Sequence, residues 1–479
     1  AIALSMGNDV DRKVLFQLAF TLGEIRDSKA ADLLAKLAKT YSEDPWIRTA
    51  VLSSSGRSAG RLLQILAGDA QWSAGATGGA FLEQLALVVG VRHDADEIDG
   101  VFEVIALSLG RNPGLQRRLT RSLASGLRRS GRRLDPAALR GEQGRIVANQ
   151  YLNEALIHAG DANLDEATRV AAIGFLASAP FEMCRGVLVQ LVSPQWPVAV
   201  QSAAVRALGE FPDAEITSVL LERFNKATPD VQGEMVAAFL SRDDRTVPFL
   251  MMAVDGFVSA AGVEPTRRQL LLNNRSAEIR KLAETVFGGA AGSERGIVVA
   301  DYKQKLKELS GDLDRGGKVF DRLCASCHQL AGRGFAIGPN LASSPSRDPE
   351  ALVQHILDPN QNVLPNYLQY VVLDRSGKSH SGMIAAQTAT SITLKREKDA
   401  TETILRSDID EMNSTGKSLM PEGLEKDLSP AELADLIAYL RTQADPNSKT
   451  TADPRRVRDK GTLPGSLVEP SKGGTGTRR

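Results

Sequence analysis

Apolar residues recur at helical spacing through most of the first 290 residues, with short breaks at Asp, Pro, Gly and Ser. Three segments share one pattern, in which a polar or proline-marked start is followed by small and β-branched residues and then by a bulky apolar residue. They are DEATRVAAIGFLA (165–177), QWPVAVQSAAVRALG (195–209) and TPDVQGEMVAAFL (228–240). Their leucines Leu176, Leu208 and Leu240 lie 32 residues apart, which is the length of one helical hairpin. The pattern predicts stacked pairs of helices.

This arrangement resembles HEAT-type repeats, in which paired helices stack and bury one continuous core. The resemblance implies a curved scaffold that docks a partner, and we assign residues 1–290 to a HEAT-like helical repeat region. An irregular α-helical domain is the alternative, because the units vary in length. Between residues 72 and 145 the stretches AGATGGA, RSGRR and DPAALRGEQGR interrupt the pattern, so a uniform array is not expected.

The character of the chain changes after GGAAGSERG (288–296), a stretch whose composition is typical of a linker. We assign 291–310 to a linker and lead-in helix, and 311–443 to a second domain. From 367 to about 412 the segments alternate in polarity or are β-branched, and DRSGK between the first two indicates a tight turn. This part is therefore predicted to be a small antiparallel β insert. Residues 444–479 contain too few apolar positions to pack, which predicts a disordered tail.

Composition and charge narrow the functional classes. The 479 residues suggest two to four domains, and 58 basic residues balance 58 acidic ones. No overall positive field therefore points to nucleic acid. No run of 18 or more apolar residues occurs, so no transmembrane segment is expected. The chain begins at Ala1 with no recognisable signal peptide, and we expect it to be a fragment or a processed product.

Candidate chemistry is concentrated in CASCH (324–328), because the chain has only three cysteines and five histidines. A redox dithiol would place its Cys-X-X-Cys at the start of a helix after a strand, whereas here the pair closes an amphipathic helix. A zinc site would need more ligands at short spacing, and the third cysteine, Cys184, has no histidine near it. Haem attachment uses the whole motif: Cys324 and Cys327 bond the porphyrin vinyl groups, and His328 is the proximal iron ligand. The motif predicts one covalent haem c per chain.

The sequence around this motif resembles a class I cytochrome c. The similar segments are GDLDRGGKVFDRLCASCHQLAGRGFAIGPNL (311–341), for the N-terminal part of that family, and SLMPEGLEKDLSPAELADLIAYLRT (418–442), for its C-terminal part. The resemblance implies that Gly316 and Phe320 on the first helix meet Tyr439 on the last helix. It also implies that the Pro339 carbonyl accepts a hydrogen bond from His328 and so orients this ligand.

Met420, in LMPEGL just before the last helix, matches the distal ligand of that family, a methionine that raises the reduction potential. The alternative is a core methionine that fills a gap. Met383 and Met412 lie in or near the β insert and are predicted to be packing residues. His380 follows the hairpin turn and is expected to be exposed, and His355 is expected on a helix surface.

The interval between His328 and Met420 is longer than a plain cytochrome c needs, and the β insert fills it. With this insert, residues 311–442 resemble the haem-binding domain of the Pirellula/Verrucomicrobium type. In that group the domain commonly follows helical repeats and belongs to membrane-bound or periplasmic dehydrogenases with a β-propeller. No propeller pattern occurs in this sequence, so the resemblance carries over no catalytic residue.

The expected fold class is therefore mainly α: a HEAT-like α-solenoid followed by a class I-like cytochrome c domain with a small antiparallel β insert. The leading functional hypothesis is an electron carrier that accepts electrons from an associated or upstream dehydrogenase and passes them to a respiratory acceptor. A peroxidase-like haem enzyme, and a docking scaffold with an accessory haem, stay open as alternatives. Because haem c is attached on the export side of the membrane, we expect a periplasmic or otherwise exported location.

Overall fold

The computed structural model describes residues 6–7, 9, 11–108, 112–287, 294–343, 347–361 and 363–442. The predicted tail, 444–479, lies outside these ranges. Contacts divide the chain into two compact units, which we name the helix–sheet unit and the CASCH unit. The helix–sheet unit falls within 1–290, 360–396 and 401–419, and the CASCH unit falls within 291–359, 397–400 and 420–479.

The helix–sheet unit contains a long series of α-helices, as the periodicity predicts. They are α1 (Arg12–Glu24), α2 (Ser28–Thr40), α3 (Pro45–Ser54), α4 (Ala59–Ala67), α5 (Ala70–Ala74), α6 (Ala76–Arg92), α7 (Ala95–Glu103), α8 (Pro113–Arg129) and α9 (Glu142–Gly160), followed by α10 (Glu166–Leu176), α11 (Phe181–Gln190), α12 (Val198–Gly209), α13 (Glu215–Phe224), α14 (Pro229–Phe239), α15 (Asp243–Val254), α16 (Pro265–Leu272) and α17 (Ala277–Phe287). Several begin at an aspartate whose carboxylate accepts a backbone N–H of the first turn, as Asp44 does before α3 and Asp165 before α10. These caps satisfy N–H groups that the helix itself leaves without a partner.

Alternate helices pack against each other along much of this unit, including α10 with α12 and α12 with α14. Leu176, Leu208 and Leu240, spaced 32 residues apart, occur at the C-terminal ends of these three helices. Leu176 and Leu208 are fully buried, so the spacing read from the sequence corresponds to successive packed helices. The HEAT-type assignment itself stays a prediction.

A second feature recurs at the starts of these helices. In many of the described helices, the side chain of the fourth helical residue donates a hydrogen bond to a backbone carbonyl that precedes the helix. Examples, given as donor and acceptor, are Arg48 to Ser42, Arg145 to Leu139, Arg169 to Ala159, Gln201 to Trp196, Gln232 to Phe224, Arg268 to Val263 and Arg280 to Asn274. Each bond satisfies a carbonyl in the last turn of the preceding helix or in the connection that follows it, where no helical partner is available.

The sheet has five antiparallel strands in the order β4-β3-β2-β1-β5. The strands are β1 (Leu368–Asp374), β2 (Ser379–Gln387), β3 (Ser391–Lys395), β4 (Thr401–Leu405) and β5 (Ile409–Ser418). In β1 the side chains of Leu368, Tyr370 and Val372 are buried, and they share one face because successive side chains alternate. The predicted antiparallel insert is therefore present.

Polar groups of the sheet bind backbone groups in the connections between helices of the same unit. The Tyr370 hydroxyl donates to the Ala227 carbonyl at 3.1 Å, and the Ser414 N–H donates to the Asn225 carbonyl at 2.6 Å. Arg406, only 1% exposed, donates through Nη1 to the Pro194 carbonyl at 2.7 Å. The sequence grouped these strands with 311–443, whereas the contacts group them with the helices. The sequence did not indicate this grouping, because the carbonyls that the sheet residues bind are far from them along the chain. The predicted domain boundaries themselves stay a prediction.

The burial of four single residues in this unit bears on the sequence analysis. The prediction that His380 is exposed is wrong: its side chain is 5% exposed and lies between two carboxylates. Met383 and Met412 are buried, which agrees with a packing role, and Met412 belongs to the core of the sheet. Cys184 is fully buried in α11, where burial raises its pKa to about 12.

The CASCH unit contains α18 (Glu294–Leu306), α19 (Leu313–Leu323), α20 (Pro349–Leu357) and α21 (Pro430–Thr442). Its core includes Val299 and Tyr302 of α18, Phe320 of α19, and Leu433 and Tyr439 of α21. The helix predicted as a lead-in is thus part of the core. None of the helices in the described ranges combines the length and apolar character needed to cross a bilayer.

Candidate functional site

Helix α19 leads directly into the cysteine motif. Asp312 caps its start by accepting the Arg315 N–H at 2.8 Å, and its buried side presents Gly316, Val319 and Phe320. The helix ends at Leu323, and the N–H of the next residue, Cys324, donates to the Phe320 carbonyl at 2.8 Å. The first cysteine is therefore held by the last helical turn.

Helices α19 and α21 cross at a glycine. A Cβ at Gly316 would lie only 2.7 Å from the Cβ of Tyr439, so any side chain there would force the helices apart. The rings of Phe320 and Tyr439 lie 5.9 Å apart between centroids, tilted by 43°. The predicted meeting of Gly316, Phe320 and Tyr439 is confirmed.

A buried carboxylate strengthens this crossing. Asp435 of α21 has a side chain only 5% exposed, and it binds Arg315 at two points, Nε–Oδ2 at 2.7 Å and Nη2–Oδ1 at 2.9 Å. It also accepts the Asp312 N–H at 2.6 Å. The hydrogen bonds from Arg315 hold the pKa of Asp435 below its usual range, since they favour the charged form. Sequence patterns did not reveal this pair, because its members are 120 residues apart.

The CASCH residues form a tight turn beyond α19. The N–H groups of Cys327 and His328 both donate to the Cys324 carbonyl, at 3.1 Å and 2.8 Å. Both cysteines are free thiols. Burial raises the pKa of each thiol, so neither has the low pKa that a catalytic Cys-X-X-Cys thiolate needs. This electrostatic environment disfavours the redox-dithiol alternative.

The His328 imidazole is held by the loop that follows the motif. Its Nδ1 lies 2.9 Å from the Pro339 carbonyl oxygen. Because a carbonyl can only accept, Nδ1 carries the proton and Nε2 keeps its lone pair. Burial lowers the pKa of His328, which favours this neutral form. The hydrogen bond expected from the resemblance is thus present.

Glycines allow the loop to approach the histidine closely. A Cβ at Gly338 would lie 2.5 Å from His328 Cε1, so a side chain at this position would overlap the ring. The N–H groups of Ile337 and Gly338 donate to the Cys327 carbonyl at 3.0 Å and 2.8 Å. Gly334, with φ +81°, lets the Phe335 N–H reach the Ala325 carbonyl at 3.1 Å. The loop is therefore hydrogen-bonded to the turn at several points.

The segment that carries Met420 is anchored a few residues further on. Arg295 of α18 binds both carboxylate oxygens of Glu425, at 2.7 Å and 2.9 Å, and the Tyr302 hydroxyl donates to the Leu428 carbonyl at 2.9 Å. Met420 is half-buried and belongs to the CASCH unit. Sequence reasoning missed Arg295 and Tyr302, although the apolar spacing of Val299 and Tyr302 on α18 was a signal of burial.

Hydrogen bonds of one turn and one loop thus bring together Cys324, Cys327, His328 and Pro339. The role of Met420 as a ligand stays a prediction. In the described ranges, no group of three or more His, Cys, Asp or Glu side chains is arranged to hold a metal ion.

Comparison with known families agrees with this geometry. The family model described as cytochrome c matches residues 313–367, from the start of α19 through CASCH and Pro339. The match supports a cytochrome c-type haem-binding domain in this part of the chain and points to haem-based electron transfer. No curated protein matches the chain.

The residues present fit a haem of the c type. Two free thiols occupy the spacing that thioether attachment requires, and the neighbouring imidazole has its proton fixed on Nδ1. Gly338 leaves the loop close to the ring, where a larger residue would push the histidine away. One imidazole nitrogen beside two cysteine thiols suits a haem that is attached through the thiols and ligated by the histidine.

Proposed function

We propose that this chain is an electron carrier with one covalent haem c, attached at Cys324 and Cys327 and ligated by His328 and Met420. The observation that carries the proposal is the hydrogen bond from His328 Nδ1 to the Pro339 carbonyl, on a turn that also holds both cysteines. It leaves Nε2 as the free donor atom. A histidine oriented in this way offers Nε2 as a ligand to a metal centre.

The bound haem would supply a one-electron Fe(III)/Fe(II) couple. The chain's own residues hold and tune it: Cys324 and Cys327 fix its position, and Pro339 fixes the tautomer of His328 and raises the basicity of the imidazole. Met420 would supply a neutral sulfur donor that favours the reduced state and closes the distal side to oxygen and peroxide. Closure of that side favours electron transfer over the peroxidase-like alternative.

The helical region is proposed to be a HEAT-like scaffold that docks a redox partner. The alternate packing of α10, α12 and α14 and the recurring side-chain caps support a repeated unit. The expected partners are an associated dehydrogenase as electron donor and a respiratory acceptor. Because thioether attachment takes place on the export side of the membrane, we propose a periplasmic or otherwise exported location.

The proposal is tested by producing the chain with an export signal in cells that mature c-type cytochromes. We expect haem to stay with the polypeptide on a denaturing gel, and the Cys324→Ser/Cys327→Ser variant to lose it. Cys184→Ser is the matched control, since Cys184 is buried in the other unit and should not affect the haem. A wild-type polypeptide with the mass of the bare chain would refute the proposal.

A further inference from the structure

The turn that joins β3 to β4 contacts the cysteine motif. Its residues, 397–400, belong to the CASCH unit. The backbone N–H of Lys398 donates to the carbonyl of Ser326 at 3.0 Å, and Ser326 lies between the two cysteines. The motif is therefore bound from two sides, by the loop that carries Pro339 and by this turn.

The backbone of the turn is in an unfavourable conformation for its sequence. Lys398 has φ 58° and ψ 34°, Asp399 has φ 59°, and the Ala400 N–H donates to the Glu397 carbonyl at 3.3 Å. Two successive central residues with positive φ are the pattern of a type I′ turn, which strongly prefers Asn-Gly. Asp is tolerated in such a turn, whereas Lys398 is not favoured at positive φ and needs surrounding contacts to hold it there, and such residues concentrate at functional sites.

The same turn brings a carboxylate close to the motif. Glu397 directly precedes Lys398, whose N–H donates to the Ser326 carbonyl at 3.0 Å, so its carboxylate is carried by the part of the turn that meets the motif. A negative charge in this place would stabilise the oxidised, more positive state of an iron centre held by the neighbouring His328. Because Glu397 is exposed, its influence should be screened by salt.

We propose that the 397–400 turn is a positioning element for the cysteine motif, through the Lys398 N–H, and that the charge of Glu397 lowers the reduction potential of the haem bound there. The inference rests on the proposed function, because it needs a haem at Cys324, Cys327 and His328. The turn would then be a second contact surface for the motif, and Glu397 would be a residue that sets the potential.

The charge is tested by redox titration of the haem-loaded full chain. We expect Glu397→Gln to shift the potential upward, more at low than at high ionic strength, and Glu397→Asp to restore the wild-type value. Glu284→Gln, which removes another exposed carboxylate, from α17, is the control and should cause no shift. A Glu397→Gln potential equal to that of wild type at low ionic strength would overturn the role of the charge.

The positioning is tested by two variants of the turn. Lys398→Asn/Asp399→Gly gives the preferred type I′ pair, keeps the N–H of residue 398 and leaves the net charge unchanged, so the potential and haem retention should stay near wild type. Lys398→Pro removes this N–H, and proline cannot adopt positive φ. The reduction potential and the haem retention of this variant should therefore both change. Equal behaviour of the two variants would overturn the positioning role.

Failure of the inference and failure of the proposed function give different results. If the wild-type chain retains no haem on a denaturing gel, both are refuted. If it retains haem and its potential responds to none of these substitutions in the turn, the inference alone is refuted.

Discussion

Arg295 and Glu425 form a two-point ion pair, Nη1–Oε1 at 2.7 Å and Nη2–Oε2 at 2.9 Å, with side chains only 22% and 18% exposed. Arg295 also donates through Nε to the Leu357 carbonyl at 3.0 Å. One guanidinium therefore joins α18 to the end of α20 and to the segment that follows Met420. The hydrogen bonds from Arg295 lower the pKa of Glu425, so this carboxylate is charged over the neutral range.

Glu425→Gln should destabilise the CASCH unit by about 1–3 kcal/mol, because it replaces a charge-assisted pair and leaves Arg295 without its counterion. Since the folded pKa of Glu425 is lowered, its contribution is present above the unfolded pKa and is lost as the pH falls through the folded value. Unfolding of the two proteins should therefore differ at neutral pH and converge in acid. Exposed Glu308→Gln is the control, and an equal loss there would argue against a specific role for the pair.

The crossing of α19 and α21 offers a matched pair of glycines. Gly316→Ala would place a Cβ against the Asp435 carbonyl oxygen and 2.7 Å from the Tyr439 Cβ. A Cβ at Gly317 would meet the ring edge of Tyr439 at 3.4 Å and Arg333 Nη1 at 3.7 Å, which are ordinary contacts. We expect Gly316→Ala to cost about 1–3 kcal/mol through overpacking. Gly317→Ala should be neutral or stabilise by up to about 1 kcal/mol, the gain in helix propensity. Denaturant unfolding measures both, and similar values for the two variants would contradict the proposed close approach.

Met420→Ala should abolish the weak sulfur-to-iron charge-transfer band of the oxidised protein and lower the reduction potential, because the soft thioether donor that favours Fe(II) is lost. Met412→Leu and Met383→Leu are the controls. Both side chains are buried, so a leucine of similar volume preserves the packing, and band and potential should stay near wild type. A Met420 variant that keeps the band, or a native ferric haem that is high-spin and reacts rapidly with peroxide, would move the assignment to the peroxidase-like alternative.

Two contacts of the site were expected from the resemblance to a known family, and both are present. His328 and Pro339 are eleven residues apart and joined by a loop that hydrogen-bonds to the motif itself. The meeting of Gly316 with Tyr439 spans a longer interval, and neither contact could be derived from periodicity.

The features that sequence reasoning missed depend on pairing between distant segments. The Tyr370 hydroxyl finds its acceptor, the Ala227 carbonyl, 143 residues away, and Lys398 reaches Ser326 through the backbone. No local pattern encodes a backbone partner, because every residue offers the same groups. His380 was misjudged for a related reason: it follows a turn signal, and its burial depends on Glu402 from a strand that the hairpin alone does not include.

His380 gives the helix–sheet unit a defined dependence on pH. Its Nε2 lies 2.9 Å from Asp374 Oδ2, and its Nδ1 lies 2.9 Å from Glu402 Oε1, an ion-pair distance without hydrogen-bond geometry. Lys378 Nζ also binds Glu402 Oε1, at 2.7 Å, and Arg396 Nη2 lies 3.7 Å from Glu402 Oε2. The hydrogen bond to Asp374 is the main cause that raises the pKa of His380, and the bond from Lys378 is the main cause that lowers the pKa of Glu402 to about 2.

The raised pKa of His380 means that its stabilisation is fully present below the unfolded value of about 6.5 and is lost as the pH rises through the higher folded value. The lowered pKa of Glu402 acts in the opposite sense, since its contribution is lost as the pH falls through the folded value. Together they stabilise the sheet most between roughly pH 5 and 6.5. Thermal unfolding should therefore show a midpoint that declines from this window towards alkaline pH, and His380→Gln should lower the midpoint within the window and flatten the decline. The exposed His355→Gln should keep the wild-type slope, and an identical slope in wild type and His380→Gln would contradict the ion-pair role of His380.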